Sequence, residues 1–168
     1  MKNAKQRNAG IFLAQGGMVA ALYVALTLIA SAMGLASGQI QLRLSEALTI
    51  LPCFFPAAVP GLFVGCLLAN LLTGCVLWDV AVGSLATLLG ALGTRLLRKN
   101  RWLAVLPPIV SNILLVPPVL VWAYGVEESI PFLMLTVGLG EVLSCGVLGE
   151  LMYSALDKRR ALWDRKDR

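Results

Sequence analysis

The sequence predicts an all-α integral membrane protein, a six-helix transmembrane bundle with short, proline-broken second and third helices. Three observations carry this. Of 168 residues, 58% are hydrophobic and 14% charged, where a soluble domain carries roughly 25% charged. Between the charges lie apolar stretches on the scale of a bilayer crossing, which takes about 20 residues. The basic residues gather at 2–7, 95–101 and 158–168, and such clusters fix how a chain threads through a membrane. The net charge of +5 belongs to those loops. No zinc spacing or aromatic-basic interleaving supports nucleic-acid binding.

The first helix spans about 11–33, too long for a signal-peptide core, and Gly34, Ser37 and Gly38 end it. Residues 39–44 alternate polar and apolar, as an extended loop does. Ser45 can then cap a helix with Glu46 in its first turn. Residues 47–78 hold no charge for 32 positions, more than one span needs. Pro52, Pro56 and Pro60 divide them, because proline lacks the N–H and clashes with the preceding turn. The products, about 45–57 and 60–73, are each about 20 Å long. They are two short helices or one re-entrant hairpin, and broken backbone inside a membrane must be covered by protein or line a cavity. Further helices follow at about 76–97, 102–124 and 130–153, the fifth bent by Pro107, Pro108, Pro117 and Pro118. Six spans put all three basic clusters, and both termini, on the cytoplasmic side of the cell membrane; four spans with a hairpin keep the same parity.

Small residues recur every four positions at Gly17, Ala21 and Ala25, and again at Gly61, Gly65 and Ala69. Such stripes let helices approach closely, either inside the bundle or against a partner membrane protein. The first stripe, beginning near the cytoplasmic end, is the candidate docking face.

The polar exceptions point to a site. Glu141 falls about 16 Å into the last helix, where a carboxylate is expensive and needs a partner, water or a ligand. Asn112 lies at similar depth and Asn70 toward the outer end of the third helix. Arg43 and Glu46, three apart and able to pair, sit with Trp78 and Asp79 on the outer side. Together they suggest an outward-opening cup with Glu141 and Asn112 near its floor. A carboxylate accepts two hydrogen bonds from an amidine edge, an indole stacks on a planar ring, and a second carboxylate can hold an ammonium group. A planar, polar, possibly cationic solute therefore fits better than a lipid or a sugar. Trp102, Trp122 and Tyr124 read as interface anchors.

Several classes are excluded or left aside. The chain has no histidine, hence no imidazole chemistry, and Cys53, Cys66, Cys75 and Cys145 show neither CxxC spacing nor a disulfide framework. No metal site and no catalytic constellation is expected. Without a GxxxxGK[ST] loop the chain is not itself an ATPase. The residues alone leave open a binding subunit energised by partners, a small secondary transporter or channel, and a non-transporting scaffold.

Four blocks carry a family resemblance: QIQLRLSEALTILPCFFPAAVPGLFVGCLLANLL, WDVAVGSLATLLGALGT, LPPIVSN and VGLGEVLSCGVLG. Over about residues 9–156 the chain resembles the QueT family, which is similar to the substrate-binding S components of energy-coupling factor transporters. The resemblance implies six membrane helices and uptake of a queuosine precursor, a 7-deazapurine such as queuine or its aminomethyl-deazaguanine relative. It also implies a transmembrane coupling subunit and two cytoplasmic ATPases that carry ATP and Mg, with no cofactor in this chain. Docking through small residues of the first helix falls on Gly17, Ala21 and Ala25. The family blocks place Arg43, Ser45, Glu46, Trp78, Asp79 and Glu141 in its motifs. The mechanism expected is capture of the ligand from outside, with Glu141 or Glu46 on its donor edge, Trp78 stacked on its ring and Asp79 beside an amine.

Overall fold

The computed structural model describes residues 2–35 and 42–158, with side chains from residue 6; residues 36–41 of the expected loop and 159–168 of the basic tail lie outside them. Helix α1 spans Lys2–Ala32. A 3-10 helix runs Leu44–Cys53, followed by α2 (Ala58–Leu72) and α3 (Leu77–Leu97). One turn, α4 (Arg101–Ala104), leads into α5 (Leu106–Tyr124). The last segment is α6 (Ile130–Glu141), a π-helical stretch (Val142–Leu148) and α7 (Gly149–Asp157). The chain is an all-α, multi-pass membrane protein, with six helical segments among the described residues. Four of these are long and apolar enough to cross a membrane: Gln6–Ala32, Leu77–Leu97, Arg101–Tyr124 and Ile130–Asp157. The 3-10 helix and α2 are the shorter pair.

The prolines explain the breaks. The 3-10 helix is ten residues long, where runs beyond three or four are uncommon, and it survives because its neighbours supply what its backbone lacks. A helix passing through Pro52 would need an N–H from position 56, which is proline; the guanidinium Nη1 of Arg95 donates to the Pro52 carbonyl instead, at 2.9 Å. Pro108 likewise cannot donate to the Ala104 carbonyl, and the Thr94 hydroxyl does so at 2.7 Å. The chain therefore breaks between α4 and α5 at Val105, with Pro107 and Pro108 in the first turn of α5, where a missing N–H costs little. Pro117 and Pro118 lie inside α5 without ending it.

Close backbone contact sets the packing. A Cβ on Gly61 of α2 would stand 2.6 Å from the Gly16 carbonyl oxygen of α1, and one on Gly65 would stand 2.8 Å from Tyr23 Cβ. The stripe on α2 is thus consumed by α1, whose inward face is Gly16, Val19, Ala20 and Tyr23. Leu48, Leu51, Leu62 and Cys66 complete that core. Gly17, Ala21 and Ala25 lie on the other face of α1 and are exposed. The 3-10 helix threads between α1, α3 and the last segment, and this carries Glu46 into the interior.

Candidate functional site: a buried carboxylate and amide cluster

Glu46, Asn112 and Glu141 meet at mid-depth. Glu46 comes from the 3-10 helix, Asn112 from α5 and Glu141 from the last turn of α6, and all three are buried, at 0%, 1% and 4% exposure. The depth follows from Thr87, halfway along α3, whose hydroxyl lies 3.5 Å from Glu46 Oε1. Glu46 is therefore not near the mouth, as its place after the loop suggests. The 3-10 helix begins inside the bundle, so its first turn is already deep.

Each carboxylate is partly committed. The Tyr23 hydroxyl donates to Glu46 Oε1, while Glu46 Oε2 has no hydrogen-bond partner. The Cys145 thiol lies 3.2 Å from Glu141 Oε2 and 3.5 Å from the Glu46 carbonyl oxygen, and Thr49 Oγ1 lies 3.4 Å from its sulfur. One ligand-type atom from each of Glu46, Glu141 and Cys145 falls within 4.8 Å of the others. That cluster sits at the start of the π-helical stretch, where the wider turn displaces Cys145 from regular α-helical register; such bulges are frequent at functional sites.

Asn112 stands within interaction reach of Glu141, yet neither its amide nitrogen nor its amide oxygen has a hydrogen-bond partner. The buried Ser144 hydroxyl is also unpartnered. An unmade buried hydrogen bond costs about 1–3 kcal/mol, so native proteins leave few such groups without a reason. Asn112 and Ser144 thus carry unused donors and acceptors in the interior, Asn112 beside Glu141.

Arg43 and Asp79 form a second layer. Arg43, half-buried, is within electrostatic reach of Glu46, Asp79, Glu141 and Tyr23. The Arg43–Glu46 pair that their spacing allows is not made. Among the described residues no carboxylate lies within ion-pair distance of Arg43, and the two residues are joined instead by backbone, Glu46 N–H to Arg43 carbonyl at 3.0 Å. Asp79 occupies the first turn of α3, favourable for an anion, and Tyr124 donates to its Oδ2 at 2.9 Å. Asn70 Nδ2 reaches the Asp79 carbonyl at 3.4 Å, so Asn70 joins this layer.

Trp78 does not face the cluster. It is 71% exposed and lines an apolar groove of about 610 Å³ with Val82, Leu115, Pro118 and Trp122 on the outside of the bundle. A helix turns by about 100° per residue, so Asp79 pointing inward sends Trp78 out of the bundle. Tyr23, Thr87 and Cys145 are the contributors that the sequence reading passed over. Tyr23 alone left a signal: a phenol mid-way along an apolar span is out of place for an interface anchor. Glu150 pairs with Arg101 at 3.5 Å at the far end of the bundle.

The cluster can hold a small polar molecule through carboxylate acceptors, an amide and hydroxyls. No nucleophile–base pair with a third orienting group is assembled from these contacts. No curated protein and no solved structure matches the chain. The profile of the QueT transporter family matches residues 13–158, most of the sequence; a membrane span set, a buried polar cluster and that match agree, and the chain belongs to the QueT family of transporters, as a transport component and not an enzyme.

Proposed function

We propose that this chain is the S component of an ATP-driven importer, capturing a queuosine precursor, queuine or a related 7-deazapurine, from outside the cell. The unpartnered Asn112 amide beside Glu141 and the free Oε2 of Glu46 carry this reading. A primary amide offers one donor and one acceptor side by side, the complement of a lactam edge, while the carboxylates accept from ring N–H and amine donors. Tyr23 holds Glu46 so that Oε2 faces the ligand. Arg43, Asp79 and Asn70 line the approach. Trp78, turned to lipid, has no stacking role in this reading.

In this reading all six segments (about 11–33, 45–57, 60–73, 76–97, 102–124 and 130–153 from the sequence) form one membrane domain, with both termini cytoplasmic. The exposed Gly17, Ala21 and Ala25 stripe docks a transmembrane coupling subunit, and two cytoplasmic ATPases supply ATP and Mg. Their hydrolysis drives release inward, and the chain performs no covalent step.

The test is a binding titration of the purified protein with 7-deazaguanine derivatives. Glu141→Gln should weaken binding roughly tenfold to hundredfold, the loss of about 1.5–3 kcal/mol expected for a hydrogen bond to a charged group. An unchanged dissociation constant in a folded variant would remove Glu141 from the site.

A further inference from the structure

The end of the bundle opposite Asp79 gathers cations that the buried cluster does not use. Four stand within seven positions: Arg95, Arg98, Lys99 and Arg101. Two of them are spent inside the chain. Arg95 donates to the Pro52 carbonyl at 2.9 Å, and Arg101 pairs with Glu150 at 3.5 Å. Arg98 and Lys99 are exposed and make no ion pair among the described residues. They stand on the turn that joins α3 to α4, and hydrogen bonds fix that turn. The Asn100 N–H donates to the Leu97 carbonyl at 3.0 Å, and the Asn100 side chain accepts from the Trp102 N–H at 3.1 Å. Two uncommitted cations are thus carried on an ordered backbone, which lowers the cost of binding.

The surface bordering them selects the partner. Leu96 is 82% exposed and Trp102 62%, and Leu103 and Leu106 are exposed as well. These residues belong to two segments long and apolar enough to cross a membrane, Leu77–Leu97 and Arg101–Tyr124. Free cations and hydrocarbon-facing surface therefore meet at one edge. Arg101 lies over the Trp102 ring, 4.6 Å from its centroid, and a tryptophan at the end of a span sits at headgroup level. A phospholipid matches both halves of this edge. Its phosphate accepts from a guanidinium and an ammonium, while its chains lie along the leucines. An acidic protein surface would match the charges and leave the leucines bare. A zwitterionic headgroup brings a cation of its own and loses much of the attraction.

We propose that the α3–α4 turn binds the phosphate of an anionic phospholipid, held by Arg98 and Lys99, with Arg101 and Trp102 at its edge. This site needs only a bilayer at that end of the bundle and is separate from the capture of a ligand by the buried cluster.

Trp102 reports on the site. The full chain is reconstituted in phosphatidylcholine vesicles containing either brominated phosphatidylglycerol or brominated phosphatidylcholine, at constant ionic strength, and quenching of tryptophan fluorescence is measured. The anionic lipid should be preferred about tenfold. Arg98→Gln combined with Lys99→Gln should bring that ratio toward one. Arg7→Gln, which removes an exposed cation of α1 outside the turn, should leave it unchanged, and Trp102→Phe should abolish the difference in quenching. Equal quenching by the two lipids in the native protein would overturn the lipid site and leave these cations to an acidic protein partner; this comparison needs no variant to fold. A preference that survives Trp102→Phe, or that falls as far in Arg7→Gln, would place the attraction elsewhere and overturn the proposal. Loss of the preference on adding millimolar inorganic phosphate would assign the cations to a soluble anion and overturn it too.

Discussion

The two oxygens of Glu46 have different jobs. Oε1 accepts from the Tyr23 phenol, with the Thr87 hydroxyl nearby, and Oε2 is bare. Tyr23→Phe removes a donor to a buried carboxylate without altering the ring packing on α2. The expected outcome is a loss of about 1–3 kcal/mol in stability, read by thermal unfolding, together with weaker ligand binding. Asn112→Leu should behave in the opposite way. It replaces an amide that makes no regular hydrogen bond, though it interacts with Glu141, by an apolar group of similar volume, a change that is nearly neutral or stabilising when no regular bond is lost. Thermal stability should hold or rise while ligand binding is lost. A variant that loses both would mean that the amide is structural. Glu46, Asn112 and Glu141 were legible as candidates because polar side chains are rare in these apolar segments. Tyr23, Thr87 and Cys145 are ordinary residues of membrane helices, and their contact with Glu46 or Glu141 depends on which helix faces which.

At the scale of elements, the fold depends on substitutes for hydrogen bonds that proline removes. Arg95 serves the Pro52 carbonyl and Thr94 the Ala104 carbonyl. Both helpers stand on α3, so α3 is the post against which the two broken segments are held. Thr94→Val keeps the shape and deletes the donor, leaving a buried carbonyl unpaired. It should cost about 1–3 kcal/mol, measured as a lower melting temperature. The α1–α2 contact is tighter still. Gly61→Leu places a side chain where the Gly16 carbonyl oxygen already stands 2.6 Å from the Cβ position, and overpacking of this kind costs typically about 1–3 kcal/mol. Reduced yield and early unfolding are the expected result. The three prolines announced a break somewhere in 45–73, but not a ten-residue 3-10 helix. That geometry needs tertiary donors, and nothing local in the sequence states that they exist.

For the whole molecule, the unequal use of α1 matters most. Only 17% of its best membrane window is buried within the chain, against 44% for each of the other three long segments. Its inner face is taken by α2, and a Cβ added at Gly17 would meet nothing within 4 Å. Gly17→Leu and Ala21→Leu should therefore leave folding and ligand affinity unchanged. If this face docks the coupling subunit, uptake in cells carrying the full transporter should fall at least several-fold. Normal uptake in the double variant would move the docking surface elsewhere.

The sequence by itself determined that the chain lives in a membrane, where its breaks fall and which charges are out of place. These are properties of composition and of proline chemistry, which act locally. Tertiary structure alone decided that Glu46 belongs beside Glu141 at mid-depth, that Trp78 points out of the bundle, and that α1 spends Gly16 and Ala20 inside while leaving Gly17 and Ala21 outside. The reason is rotation and depth. A helix shifts its facing by about 100° per residue, so one position moves a side chain from core to lipid. The depth at which the 3-10 helix starts is set by the helices that enclose it.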